Sequence, residues 1–207
     1  MLSVLIVGLV GYLIGSIPAG YLAGKLAGID IRTVGSGNPG ATNVVRTLGK
    51  RYGYPVFLFD FIKGILAVKV SALIHGNGAG WTIDSDLLGI VGGTCSVIGH
   101  SYPIWLRFKG GKGVATSGGV VIALMPWVAL IAGLVWIIMF QVFRYVSLAS
   151  IVAVLSMPIA AAILFETGHL ASAFFYFSIG LALIVVIRHR SNLSRLIKGE
   201  EPRFERK

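Results

Sequence analysis

Three stretches of this chain gather the side chains that handle anions. The first, Val34 to Arg46, reads V-G-S-G-N-P-G-A-T-N-V-V-R. Gly35, Gly37 and Gly40 allow positive φ and let backbone N–H groups approach a ligand. Ser36, Asn38, Thr42 and Asn43 add neutral hydrogen-bonding groups, and Arg46 adds a forked positive charge. Such a set suits an oxyanion, above all a phosphate, held by backbone amides and one guanidinium. It equally suits a glycine-rich membrane loop with an Asn-Pro-Gly turn, and the stretch by itself does not decide.

The second stretch, Gly99 to Thr116, reads G-H-S-Y-P-I-W-L-R-F-K-G-G-K-G-V-A-T. Gly110, Gly111, Lys112 and Gly113 open an expected short helix, where free amides, the helix dipole and a lysine converge. The run is not a Walker A loop: Leu106 stands where its leading glycine belongs, and Gly113 where Ser or Thr is required. Positive-inside charge would account for Lys109 and Lys112, but not for three glycines around them, which favours a phosphate loop over a basic turn. His100, at the end of the preceding span, is placed to orient that loop.

The third stretch, Arg188 to Glu201, reads R-H-R-S-N-L-S-R-L-I-K-G-E-E. His189 and Asn192 are three residues apart and share a helical face, and Arg188 precedes them. Arg195, Lys198, Arg203, Arg206 and Lys207 read as a basic membrane-boundary tail, and Glu200 as a structural partner for one of these cations. No zinc-type spacing occurs, the single Cys95 permits no disulfide framework, and no metal or cofactor is expected.

The elements that carry these stretches are membrane spans. Of 207 residues 56% are hydrophobic and 13% charged, with a mean hydropathy of +0.85, far less charge than the roughly 25% of a soluble domain. The net charge of +10 sits in short connections and the tail, which fits topology and anionic lipid rather than nucleic acid. The first span covers 2–26, is interrupted at Gly15-Ser16-Ile17-Pro18, and reads as a retained helix rather than a cleaved signal. A polar connection follows at 27–53, a second span at about 54–74 and an outer connection at 75–85 holding His75. A third span runs over about 86–106. Asp60 and Lys63 in the second span can pair across one turn, as structural glue or as a wall of the polar site; Lys69 can snorkel.

Pro126 splits the apolar block at 117–143, giving a short helix at about 113–124 and a full one at about 126–143. Spans at 146–165 and 170–187 follow, with Glu166 and His169 outside. The expected fold is an all-α integral membrane protein, a seven-helix bundle with short or broken helices, its amino terminus outside and its carboxyl terminus cytoplasmic. Five crossings is the competing count. The domain expectation is one transmembrane domain over 1–207 with a cytoplasmic basic tail at 188–207. This topology puts all three stretches on the cytoplasmic side.

Those stretches, together with D-F-I-K-G from Asp60 to Gly64, resemble the motifs of the bacterial acyl-phosphate-dependent glycerol-3-phosphate acyltransferases, the PlsY family. Motif order and spacing are intact from the first span to the tail. The resemblance implies transfer of a fatty acyl group from acyl phosphate to the 1-hydroxyl of sn-glycerol 3-phosphate, giving lysophosphatidate and phosphate, at the cytoplasmic face of the bacterial inner membrane. It implies that Ser36 and Arg46 are essential, that 110–113 binds glycerol phosphate, that His189 and Asn192 serve activity and that Glu200 is structural. A partner that makes the acyl phosphate is a further possibility.

Both substrates are phosphates and together bring up to about four negative charges near neutral pH; Arg46, Lys109, Lys112, Arg188 and helix-terminus amides are adequate counter-charge. Acyl phosphate is already an activated anhydride and needs no covalent serine or thiol intermediate. The chain lacks H-x-x-x-x-D, since Gly80, Trp105, Phe174 and Ser194 stand at the aspartate's position, and it lacks a G-x-S-x-G elbow. The expected mechanism is positioning plus charge stabilisation. Ser36 and Asn192 orient phosphate or carbonyl oxygen, Arg46 and Lys112 balance leaving-group charge, and His189 as general base is the rival. An anion transporter shares the basic glycine-rich loops but needs polar residues open to both sides, whereas the outer connections here are short and poor in cations.

Overall fold

The computed structural model describes residues 2–76 and 84–204, apart from the side chains of residues 75 and 76. The expected outer connection at 75–85 therefore lies mostly outside the described residues, as do Arg206 and Lys207. Every regular element among the described residues is helical. The chain divides into two compact units, Met1–Leu124 and Met125–Lys207.

In the first unit, α1 (Leu2–Ser16) stops before Pro18, which has no N–H to continue the ladder, and α2 (Ala19–Leu26) resumes after it. An irregular stretch carries the first motif to α3 (Ala41–Leu48). The long α4 (Lys50–Gly76), α5 (Ser85–Ser101), a 3-10 turn at Ile104–Leu106 and α6 (Val114–Leu124) complete the unit.

Glycine lets these helices touch backbone to backbone. A Cβ on Gly15 would strike the Ser96 carbonyl of α5, and one on Gly99 would strike the Tyr12 carbonyl of α1. On the other side of the unit, a Cβ on Gly64 of α4 would meet the Thr116 carbonyl of α6, and one on Gly119 of α6 the Phe61 carbonyl of α4. Lipid tails are as apolar as leucine, so close van der Waals packing of this kind, rather than exclusion of water, holds membrane helices together.

The second unit holds α7 (Pro126–Phe143), α8 (Val146–Glu166), α9 (Ser172–Arg188) and α10 (Arg190–Ile197). The apolar block of 117–143 is thus two helices, α6 ending at Leu124 and α7 beginning with Pro126, where a proline suits the first helical position. Between α7 and α8 the chain reverses at Arg144 (φ 63°). Trp136 Nε1 donates to Ser150 Oγ at 3.1 Å, and Ala149, Ala153, Val154, Ala161, Leu181 and Val185 form the buried centre.

Among the described residues four helical segments are long and apolar enough to cross a membrane: Leu2–Leu26, Ser85–Leu106, Pro126–Phe143 and Val146–Glu166. The pair α9–α10, bent by 62°, makes a fifth if counted as one span. Their outer faces are apolar; on α7, Trp127, Leu134, Ile138 and Val142 are all more than half exposed, the side-chain chemistry that lipid accepts.

Candidate active site

The loop of the first motif is shaped by one buried side chain. Asn43, 3% exposed, projects from α3 and accepts from the Ser36 N–H at 2.9 Å. Its amide nitrogen donates to the Ile31 carbonyl at 3.2 Å and the Val34 carbonyl at 3.1 Å. Gly35 (φ 59°) and Gly37 (φ 68°) supply the left-handed turns, and a Cβ on Gly35 would collide with Asn43 Oδ1. Asn38 Oδ1 accepts from the Gly40 N–H at 2.9 Å, closing the turn before α3. These two asparagines, expected from sequence as ligand groups, are engaged in holding the loop. What they leave facing outward is the side chain of Ser36, with Arg46 exposed on α3 and Gly37, Gly40 and Thr42 half-buried.

Arg32 is occupied locally. It holds Asp30 with a 2.6 Å contact and lies 4.7 Å over the ring of Tyr21, and its guanidinium holds the Asp30 carboxyl down to about 2.

The second motif folds back on the end of α5. Gly110 N–H donates to the Ser101 carbonyl and Gly111 N–H to the His100 carbonyl, each at 3.1 Å. Arg107 (φ 51°) and Phe108 (φ 62°) make the reversal, and Gly113 (φ 82°) leads into α6. Lys112 is half-buried and Lys109 exposed. Ile104, Trp105 and Phe108 are exposed on the same segment, the apolar and aromatic chemistry that favours a membrane interface. Beneath Gly113 lie the fully buried hydroxyls of Ser101 and Ser117.

These two motifs border one cavity in the first unit. Its lining includes Ser16 from the break between α1 and α2, Pro39 of the first motif, Asp60 and Lys63 of α4, and Gly110 and Gly111. Lys63 Nζ is 2.6 Å from Asp60 Oδ1 and donates to the Ile17 carbonyl at 3.0 Å. Both side chains are almost fully buried. The broken first span is the wall that sequence did not assign to a site; its only signal was a proline inside an otherwise continuous apolar run.

The third motif lies in the second unit. His189 sits at the bend between α9 and α10 and is 2% exposed. Its Nδ1 is 2.8 Å from the Val185 carbonyl; a carbonyl only accepts, so Nδ1 carries a hydrogen. Asn192, 4% exposed, donates through Nδ2 to Glu201 Oε1 at 2.6 Å. Ser147 at the start of α8 donates to the same oxygen at 2.6 Å, and Arg195 Nε to Oε2 at 2.8 Å. Burial disfavours the charge on Glu201, but these three donors outweigh it and hold the carboxyl below the usual glutamate range.

The carboxylate that partners this cluster is therefore Glu201, whereas the sequence pointed to its neighbour Glu200, whose side chain is exposed. The physical reason is Gly199: its φ of 71° ends α10 with the Glu200 N–H turned back to the Arg195 carbonyl at 2.8 Å, which swings the next residue inward. Ser147 carried no signal in the sequence beyond standing just after Arg144 and Tyr145. Arg188 is the half-buried last residue of α9.

A sequence model of glycerol-3-phosphate acyltransferases matches residues 5–199. The chain belongs to the glycerol-3-phosphate acyltransferase family. The glycerol-3-phosphate acyltransferase of Aquifex aeolicus (strain VF5) is 48% identical over 193 residues, 93% of this chain and 95% of that one. A crystal structure of PlsY, an integral membrane glycerol 3-phosphate acyltransferase, in its glycerol 3-phosphate form is 43% identical, with a TM-score of 0.85 over 98% of this chain and 96% of that one. The lysophosphatidic acid form of PlsY is 42% identical, with a TM-score of 0.83 over the same shares. This member of the glycerol-3-phosphate acyltransferase family therefore shares the fold of an integral membrane relative along nearly its whole length.

Proposed function

We propose that this protein transfers a fatty acyl group from acyl phosphate to the 1-hydroxyl of sn-glycerol 3-phosphate, giving lysophosphatidate and inorganic phosphate. The observation that carries the acceptor and product is the likeness, at 43% and 42% identity, to a relative solved in glycerol 3-phosphate and lysophosphatidic acid forms. The donor is argued from chemistry. The motifs offer amides, an arginine and lysines suited to phosphate oxygens, and neither a thiol nor a serine elbow for a covalent intermediate.

In the reaction the glycerol 1-hydroxyl oxygen bonds to the acyl carbon, the bond from that carbon to the donor phosphate oxygen breaks, and the hydroxyl proton passes to the departing phosphate. Nothing is oxidised or reduced. Arg46, Lys109, Lys112 and Arg188 balance phosphate charge. Ser36 and the amides of Gly37, Gly40, Gly110, Gly111 and Gly113, with Thr42, orient its oxygens. Asn192 accepts from the neighbouring 2-hydroxyl, which leaves the single hydrogen of the 1-hydroxyl for the phosphate, and His189 positions rather than abstracts. Holding the reactants in line supplies up to about 7–11 kcal/mol of the barrier, and a preorganised oxyanion donor about 3–4 kcal/mol more.

The proposed setting is the bacterial inner membrane, with the chemistry at its cytoplasmic face, seven crossings and the amino terminus outside. Arg46, Lys109, Lys112, Arg144 and Arg188 all flank helix ends that this topology puts inside. At about 1.5 Å per residue the 11 residues of α6 cover about half of a ~30 Å hydrocarbon core. A crossing at α6 therefore needs one end of the helix submerged, and we place the Gly110–Gly113 end below headgroup level, near the reactive end of a lipid-embedded donor.

The test is lysophosphatidate formation by purified protein given glycerol 3-phosphate with either acyl phosphate or acyl-CoA. Product and stoichiometric phosphate from acyl phosphate alone is the expected result; turnover with acyl-CoA alone would overturn the donor assignment.

A further inference from the structure

The family motifs leave one group of buried charges without a task. Asp60 and Lys63 of α4 are each 2% exposed, and intramembrane ionisable groups are expensive to keep. Pairing with each other would satisfy them anywhere along the helix. Instead, each makes a second contact with a different part of the cavity wall. Lys63 Nζ donates to the Ile17 carbonyl at the break of the first span, 3.0 Å away. Asp60 Oδ1 lies 3.4 Å from His100 Nδ1, an electrostatic contact between buried polar groups at a separation longer than an ordinary hydrogen bond.

His100 in turn is joined to the second motif at both ends of its residue. Its carbonyl accepts from the Gly111 N–H at 3.1 Å. The far edge of its ring lies so near Gly111 that a Cβ there would strike Nε2. The rest of the D-F-I-K-G segment serves the same neighbour, with Phe61 and Gly64 packed against Gly119 and Thr116 of α6, the helix the loop opens. We infer that the Asp60–His100 contact is a strut that fixes the Gly110–Gly113 loop, making Asp60 and His100 positioning residues for the grip on glycerol 3-phosphate. Lys63 ties the other end of the strut to the broken span.

This inference rests on the acyltransfer reading for its kinetic consequence but not for its structural one, so two readouts are needed on the full-length protein. The variants are His100→Ala, which removes the strut; His100→Asn, whose amide keeps a polar nitrogen at the Nδ1 position facing Asp60; and Asp60→Asn with Lys63→Met, which removes the carboxylate without stranding a cation. Hydrogen exchange at the Gly110 and Gly111 amides should quicken about tenfold in His100→Ala and in the double variant, and stay near wild type in His100→Asn. KM for glycerol 3-phosphate should rise about tenfold in the same two variants and recover in His100→Asn, with KM for acyl phosphate unchanged. Unchanged exchange in His100→Ala would overturn the strut, as would His100→Asn behaving like His100→Ala or an equal rise in both KM values. An inactive wild type would instead overturn the acyltransfer reading, and the exchange measurement would still judge the strut.

Discussion

Asn192 donates to Glu201 across 2.6 Å, and this contact dictates which way the asparagine faces. A carboxylate offers no hydrogen, so the amide nitrogen must turn toward it and the amide oxygen away. That oxygen is buried and meets no hydrogen-bond partner among the described residues. Asn192 is thus set to receive a hydrogen bond, which suits a hydroxyl better than an oxyanion.

Replacing Asn192 with Asp tests this polarity. The aspartate keeps the outward oxygen but sets a second carboxylate against Glu201, while Asn192→Ala removes the acceptor altogether. Both variants should lose at least about tenfold in kcat. The double change Asn192→Asp with Glu201→Gln restores a donor facing an acceptor and should recover part of it. Single-turnover rates with both substrates saturating provide the measurement.

Glu201 also sets a pH limit on stability. Because its folded-state pKa lies below the ordinary value, the unfolded chain takes up the proton first as pH falls. Its stabilisation is complete above the ordinary glutamate value of about 4.3 and is lost as pH drops through the lower folded value. Thermal unfolding in detergent should therefore show wild type losing stability from about pH 5 downward, with Glu201→Gln starting lower and losing less over the same range.

Asn43 offers a test of the first loop. Asn43→Ala orphans the Ser36 N–H and the Ile31 and Val34 carbonyls, at about 1–3 kcal/mol for each buried group. Asn43→Asp is nearly isosteric, yet it would point a charged oxygen at two carbonyls. It should be at least as damaging as alanine, in both activity and melting temperature, and a mild aspartate variant would show that the loop is held some other way.

The glycines divide into two classes that a substitution series can separate. Gly64→Ala and Gly15→Ala force a methyl into backbone of the facing helix, and overpacking of this kind costs about 1–3 kcal/mol. Gly133 in α7 and Gly180 in α9 have nothing within 4 Å of the added atom, so alanine there should be neutral or gain up to about 1 kcal/mol. Retention of a monodisperse species after graded heating reads the difference.

Much of this was legible in the sequence wherever a local rule governs. Pro126 divides an apolar block too long for one helix, and of the three first-motif glycines expected to allow positive φ, Gly35 and Gly37 take it, whereas Gly40 is extended at φ −79° because it caps α3. Asp60 and Lys63 stand one helical turn apart, a spacing at which a pair can be anticipated. Tertiary matters were not legible. Asn43 and Asn38 look identical to ligand groups until the chain folds back on them. Glu200 and Glu201 are indistinguishable until the turn at Gly199 selects one, and Ser147 joins their cluster from a helix start more than fifty residues earlier, at 147 against 201. The hydrogen bond from Lys63 to Ile17 spans 46 residues, beyond any periodicity.

That last bond bears on how the protein is made. At the break before Pro18 the Ile17 carbonyl accepts from the Ala19 N–H at 3.2 Å within its own segment, and its second bond must come from protein, since hydrocarbon offers none. The first segment is therefore incomplete when it emerges; the break gains its second bond only once the later helix bringing Lys63 has been synthesised and laid alongside. Biogenesis of this enzyme is consequently a joint act of two segments, and a chain arrested before the second should linger beside the insertion machinery instead of dispersing into lipid.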